Sequence, residues 1–274
     1  MSGLIVITGA STGIGRAAAQ RMAAKGYDVL AGVRKEADGE AIAAERITPV
    51  IVDVTNAEQV AALAAAVGDR PLAGLVNNAG IGVSGPLEFI PLDEFRRQYE
   101  VNLFGHVAVT QALLEALRRA RGRIVNTGSV GARTPLPFTA PYGSSKAALW
   151  ALGEALRGEL RPWGIHVATV EPGAIATEIW DKATQDTAAV VEALPARGRE
   201  LYGTTLGKVG DIVANVSAGA IAPEKVADVI EHALTSPKPK DRYLIGKDAR
   251  QQVLARRILG WKRFDALLAK RMGI

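Results

Sequence analysis

The stretch "LIVITGASTGIGRAAAQRMAAKGY" at residues 4–27 decides the fold. Its first part, Leu4–Thr8, is a short run of apolar and β-branched residues, the pattern of a buried strand. Gly9, Gly13 and Gly15 follow, with Ser11 and Thr12 among them, and from Ile14 an alanine-rich helical pattern begins. A plain strand-to-helix turn needs one glycine. Three of them let the chain turn tightly and let backbone N–H groups approach a pyrophosphate at the positive end of the following helix. The G-x3-G-x-G spacing differs from the commoner G-x-G-x-x-G fingerprint, but the physics is shared. Gly9, Ser11, Thr12, Gly13, Ile14 and Gly15 are therefore read as a nucleotide-binding turn.

Outward from this unit, short apolar runs alternate with longer helical patterns. That is the signature of βαβ units and an α/β fold: a doubly wound parallel sheet of about seven strands with helices on both faces. Strands are expected at Leu4–Thr8, Asp28–Val33, Thr48–Val52, Gly74–Asn77, Gly122–Thr127, His166–Val170 and Arg242–Ile245. Helices are expected over 14–25, 56–67, 93–119, 142–161 and 224–235. With no repeat and no linker, residues 1–246 read as one domain.

Composition narrows the class. Of 274 residues, 48% are hydrophobic and 22% charged, as in a globular protein with one sizeable core. No apolar run is long enough to span a bilayer, and the first residues lack the charged region of a signal peptide. Without cysteine there are no disulfides and no thiolate metal sites. A cytoplasmic address is expected. The net charge of +5 is uneven, since residues 247–274 carry eight basic and two acidic side chains, a balance of +6, and the remainder sums to −1. A near-neutral body argues against a nucleic-acid partner.

The choice of nucleotide depends on the end of the second strand, "DVLAGVRK". An acid there accepts hydrogen bonds from an unphosphorylated ribose, whereas an arginine pairs with a 2′-phosphate. Val33 holds the position expected for the acid, 18 residues after Gly15, and Arg34 and Lys35 follow. This favours NADP(H), with NAD(H) as the alternative because Glu36 and Asp38 lie close by.

Further along, "PYGSSKAALWALGEAL" at 141–156 places Tyr142 four residues ahead of Lys146, one turn apart on a helix. A phenol has a pKa of about 10, and a fixed positive charge nearby favours the phenolate. The pair is read as an acid–base device.

Taken together, "TGASTGIG" (8–15), "DV" (53–54), "NNAG" (77–80), the asparagine of "YEVNLFG" (99–105), "NTGSVG" (126–131), "YGSSK" (142–146) and "PGAIAT" (172–177) resemble the short-chain dehydrogenase/reductase family. The resemblance covers roughly residues 3–245, and the stretch "DVLAGVRKEADGEAI" (28–42) with the long segment 178–222 is similar to its retinol and hydroxysteroid dehydrogenase branch. The resemblance implies a Rossmann-type domain and hydride exchange between a nicotinamide cofactor and a carbonyl or alcohol. It implies that Asp53 and Val54 meet the adenine, and that Asn78, Ala79 and Gly80 lie against a ribose. Pro172, Gly173, Ile175 and Thr177 would bracket the nicotinamide. Ser129 would hold the substrate oxygen against Tyr142, which donates or removes the proton. Lys146 would lower the phenol's pKa and bond the nicotinamide ribose, and Asn102 would hold a water that connects Lys146 to solvent.

Two rival chemistries fall short. "TGSVG" approaches the G-x-S-x-G elbow of a serine hydrolase, but Thr127 stands where the first glycine belongs. His106, His166 and His232 are scattered, so no metal site is expected. A non-catalytic NADP(H)-binding regulator is the rival from another class; it normally lacks one of Asn102, Ser129, Tyr142 and Lys146, and all four are present.

Pocket candidates are mostly apolar: Val83, Leu136, Pro137, Phe138, Ile179 and Trp180. They favour a bulky, lipophilic ketone or secondary alcohol as the small-molecule substrate, over a sugar or an acid. Residues 178–222 are read as a substrate lid. Residues 247–274 form a basic amphipathic helix with an apolar stripe at Leu254, Ile258, Trp261, Phe264, Leu268 and Met272. That stripe suits core or a subunit interface, or else contact with an anionic membrane surface. Family members commonly pair through their two long helices, here 93–119 and 142–161, so a homodimer or homotetramer is expected. Gly105, Ala108, Ala112, Ala147, Ala151 and Ala155 would permit close approach.

Overall fold

A computed structural model describes residues 3–176 and 191–272. Seven strands run parallel in the order β3-β2-β1-β4-β5-β6-β7. They are β1 (Leu4–Ile7), β2 (Asp28–Val33), β3 (Ile47–Ile51), β4 (Leu72–Asn77), β5 (Arg123–Thr127), β6 (His166–Pro172) and β7 (Arg242–Ile245). The helices between them are α1 (Gly13–Ala24), α2 (Glu36–Ile42), α3 (Ala57–Val67), α4 (Leu92–Tyr99), α5 (Gly105–Ala120), α6 (Ala140–Leu160), α7 (Ala196–Ala218), α8 (Pro223–Thr235) and α9 (Lys247–Met272).

The inner strands β1, β2, β4, β5 and β6 are buried on both faces, which is why they read as continuous apolar runs instead of alternating ones. Successive side chains divide between two cores. Ile5, Ile7, Val29, Ala31, Val125 and Val170 face one core with Ala18 and Met22 of α1 and Ile230 and Ala233 of α8. Leu4, Val6, Leu30, Ile124 and Val167 face the other, with Leu63 of α3 and Val109, Leu113 and Leu117 of α5. Arg21 bonds Glu231, and Lys25 lies 2.9 Å from the same carboxylate, so α1 and α8 are also joined by charge. The sheet order reverses between β1 and β4, and ligands of such folds bind at the carboxyl edge there.

Three expectations need correction. The helix expected over 93–119 is split: α4 ends at Tyr99, a π turn occupies Glu100–Phe104, and α5 begins at Gly105. The short α2 carries no hydrophobic period; it buries only Gly39 and Ile42. In the tail, α9 breaks at Gly260, which takes φ 69° and ψ 170°. The break divides the expected stripe, with Phe264 and Met272 buried and Leu254, Ile258 and Trp261 exposed. Among the described residues no helix is long and apolar enough to cross a membrane.

Gly105 is taken up inside the chain, since a Cβ there would stand 2.5 Å from Val54 Cγ2. Of the segment 178–222, the described part holds α7. The chain leaves the sheet beside Ile175 and returns at Ile221: Ala176 N–H donates to Ile221 O at 2.9 Å, and Ile221 N–H to Ala174 O at 3.0 Å.

Candidate active site

The sheet brings the segments singled out in the sequence to its carboxyl edge. The glycine turn follows β1, Arg34 follows β2, Asp53 and Val54 follow β3, and Asn78–Gly80 follow β4. Ser129 follows β5, and Pro172, Gly173 and Ile175 lie at and beyond the end of β6. Thr177, Ile179 and Trp180 lie outside the described residues.

The glycine turn is shaped by close approach within the chain. Gly9 and Gly13 have φ of 64° and 54°, which other residues rarely adopt. A Cβ on Gly9 would stand 2.8 Å from Ala79 Cα, and one on Gly15 only 2.1 Å from Gly9 O. The turn therefore packs α1 directly beneath β1. Thr12 precedes α1 in extended conformation and its side chain makes no capping bond, so the N-cap residue leaves the first N–H groups of the helix unpaired by its own hydroxyl. Such an end accepts a phosphate group, and in this respect the residues fit a dinucleotide.

Asn78 joins three strand ends. Its Nδ2 donates to Thr8 O at 3.1 Å and Gly9 O at 3.0 Å, and its Oδ1 accepts from Thr127 Oγ1 at 3.3 Å. Beneath it, Asn77 Nδ2 donates to Asn126 Oδ1 and Thr110 Oγ1, both at 3.0 Å.

Three buried side chains that sequence reasoning did not connect hold the loop after β4. Gln98, Asn102 and His106 are spaced by four across the π turn. Gln98 accepts from Val83 N–H at 2.6 Å and donates to Ile81 O at 2.8 Å. Asn102 accepts from Ile81 N–H at 2.9 Å and donates to Ile81 O at 3.0 Å. His106 Nε2 donates to Ala79 O at 2.7 Å. In an α-helix, eight residues would leave His106 about 80° round from Gln98; the wider π turn takes back much of that drift. Only Asn102 belonged to the recognised motif. The Q-x3-N-x3-H spacing at 98–106 was the available signal.

The side-chain amide of Asn102 is thus clamped on the N–H and C=O of a single residue, Ile81, and its Nδ2 also lies 3.5 Å from Ser145 Oγ.

Tyr142 and Lys146 lie one turn apart on α6, as the spacing requires. The phenol is half-buried and hydrogen-bonded to Ser129, whose Oγ also accepts from Gly131 N–H at 3.0 Å. Lys146 is buried, 4% exposed, and donates to Thr127 O at 2.8 Å. Its Nζ lies 5.9 Å from the centre of the Tyr142 ring. Burial pushes Lys146 down to about 8. Burial likewise pushes the Tyr142 phenol up, against the pull of the Ser129 hydrogen bond. The expected lowering of the phenol by Lys146 is not found here; the ammonium points at Thr127, and desolvation dominates.

Arg34 is exposed. Burial works to raise Asp53, but hydrogen bonds from Thr55 N–H at 2.9 Å and Thr55 Oγ1 at 2.7 Å, helped by the charge of Arg34, leave it below the usual carboxylate range. Phe138 lies between Ser129 and Tyr142 in sequence, and its ring meets Tyr202 of α7 edge-on at 6.1 Å. Phe89 meets the same tyrosine at 6.0 Å. Tyr202 Oη donates to Glu88 at 3.0 Å, so α7 is tied to both Phe89 and Phe138 and to Glu88.

Chemically, the edge offers an uncapped helix start for phosphate, a phenol bonded to a serine hydroxyl, and a buried ammonium. Comparison with known proteins shows the family. The profile of the short chain dehydrogenase family matches residues 3–188. A bovine (Bos taurus) dehydrogenase/reductase SDR family member 9 is 36% identical over 259 residues, covering 90% of this chain and 81% of the relative. A bovine 17-beta-hydroxysteroid dehydrogenase type 6 is 37% identical over 262 residues, covering 89% and 81%. Among solved structures, a short chain dehydrogenase from Burkholderia cenocepacia in complex with NADP superposes with a TM-score of 0.75 at 27% identity, over 99% of this chain and 97% of that one.

Proposed function

Because this chain belongs to the short-chain dehydrogenase/reductase family, and is thus an oxidoreductase acting on CH–OH groups with a nicotinamide cofactor, we propose the finer assignment of an NADP(H)-dependent enzyme. It interconverts a ketone or aldehyde and the corresponding alcohol on a lipophilic substrate. The nicotinamide, when bound, gives or takes the hydride.

The chain's own residues supply placement and a proton. The observation that carries this reading is the hydrogen bond between Tyr142 and Ser129 beside Lys146. A carbonyl oxygen placed between the two hydroxyls would receive the Tyr142 proton as the carbon is reduced. In the opposite direction the phenol would take the alcohol proton. Lys146 would bond the nicotinamide ribose, and its positive charge would favour the phenolate once both groups face a bound ligand. Gly80 supports that placement, since a Cβ there would stand 3.8 Å from Lys146 Nζ and 3.5 Å from Asn102 Oδ1.

Arg34 supports NADP(H), being an exposed guanidinium directly after β2 with no acid at Val33. The rings of Phe89, Phe138 and Tyr202 support a lipophilic substrate, as does the similarity to a hydroxysteroid dehydrogenase. Tyr142→Phe tests the assignment: it is expected to bind NADPH as tightly as wild type while turnover of a ketone panel falls by about 10²–10⁴-fold. Undiminished turnover in that variant would remove Tyr142 from the proton path.

A further inference from the structure

The family profile ends at residue 188, yet the C-terminal segment reaches back into the site. Asp248, in the first turn of α9, accepts a hydrogen bond from Ala174 N–H at 2.8 Å. Its carboxylate is seated between two glycines. A Cβ on Gly173 would stand 2.2 Å from Asp248 Oδ2, and one on Gly246, at φ +108°, would stand 2.3 Å from Oδ1. Gly173 N–H also donates to Ile245 O at 2.8 Å, so the loop after β6 is closed against the end of β7.

One turn further, Gln252 Oε1 lies 3.1 Å from the hydroxyl of Thr134. Thr134 is buried, and its hydroxyl is also 3.2 Å from Val130 O, one residue beyond Ser129. Ala249, Phe264 and Met272 carry the buried apolar surface of the tail. Asp248 and Gln252 are instead directed at the two loops that bound the reacting groups, the one after β6 and the one after β5.

We propose that Asp248 is a positioning residue for the nicotinamide end of the cofactor and Gln252 its counterpart for the Ser129 turn, so that the first turn of the tail helix belongs to the active site. This rests on the reading that Pro172–Ile175 bracket the nicotinamide. Asp248 acts through Ala174: an N–H fixed by a carboxylate holds the loop where the glycine at 173 leaves room for the ring. A charge-assisted bond of this kind is stronger than a neutral one.

The test is a fluorescence titration of wild type, Asp248→Ala and Asp248→Asn. The ligands are the nicotinamide nucleotide that wild type binds more tightly and the matching ADP-ribose, which lacks the nicotinamide. Asp248→Ala is expected to weaken the nicotinamide nucleotide about tenfold while the truncated ligand changes by less than about twofold. Asp248→Asn keeps an acceptor and recovers most of the loss. Equal weakening of both ligands, or of neither, would overturn the proposal. If Asp248→Ala does not melt cooperatively, Asp248→Ser, too short to reach Ala174, is judged by the same criterion. Wild type that binds neither ligand would overturn the cofactor reading and this proposal with it. Wild type that binds both equally well would remove the nicotinamide from the loop after β6, leaving the cofactor itself intact.

Discussion

The ammonium of Lys146 rests 2.8 Å from the carbonyl oxygen of Thr127, the last residue of β5, instead of on the phenol one turn away. Burial has pushed that ammonium down to about 8, so it changes charge just above neutrality. If it bonds the cofactor's ribose, affinity for the nicotinamide nucleotide falls as pH rises through about 8. Lys146→Arg, whose guanidinium stays charged, is expected to lose that pH limb whatever its absolute affinity. Fluorescence titrations between about pH 6 and 10 read the outcome, and an identical pH profile in the two proteins would count against it.

Arg34 offers a separable test. Its guanidinium is exposed after β2, and Asp53 holds its carboxylate charged nearby. Arg34→Ala is expected to cost NADPH about tenfold in affinity, the value of a charge-assisted phosphate contact, and to leave NADH unchanged. Parallel titrations of the two nucleotides decide it. A preference for NADH in wild type would make Arg34 a surface charge and move an oxidising dehydrogenase ahead.

His106 carries an acid-stability prediction. Burial, with the Lys146 charge beside it, holds the imidazole down at about 3 while the bond to Ala79 O works the other way. Its folded value is thus depressed below the unfolded one of about 6.5, so the unfolded chain binds the extra proton between those values. The contribution is present above about pH 6.5 and is lost as pH falls toward 3, with a slope of up to about 1.4 kcal/mol per pH unit. Urea unfolding at about pH 7 and pH 5 is expected to show a smaller drop in His106→Gln than in wild type. Equal drops would show that the imidazole is not held neutral.

Gln98 tests the ladder across the π turn. Gln98→Leu fills the volume but leaves Val83 N–H buried without its acceptor, a cost of about 1–3 kcal/mol. Denaturant unfolding is expected to show that loss at every pH. The loop it holds also contains Gly80, so nicotinamide nucleotide affinity is expected to fall as well. Unchanged stability would mean that the loop finds another anchor.

The parts of this molecule written in local pattern were legible in its sequence. Strands buried on both faces leave continuous apolar runs, and Gly9, Gly13 and Gly15 announce a turn that no other residue can make so tightly. Tyr142 and Lys146 are bound by helix geometry to share a face. What the sequence hid is settled by partners distant along the chain. The π turn exists where Gln98, Asn102 and His106 converge on residues 79–83, and nothing local in "YEVNLFGHVAV" demands it. Lys146 looked like a partner for Tyr142 until Thr127, from another strand, offered a carbonyl. The tail read as one amphipathic stripe because periodicity assumes an unbroken helix, and Gly260 breaks it. Asp248 carried no signal, since an acid in the first turn of a helix is ordinary.

The paired stems at Ile175 and Ile221 give the fold a socket. The entropic cost of closing a loop grows only slowly with its length, and here the ends are joined by two backbone hydrogen bonds. Whatever chain lies between them can lengthen, shorten or change composition while the sheet, the glycine turn and Tyr142 stay where they are. The segment between the stems is therefore free to vary in this lineage without disturbing the sheet. A transplant cut at those two isoleucines would exchange the segment as one unit and show whether it bears on what the enzyme accepts.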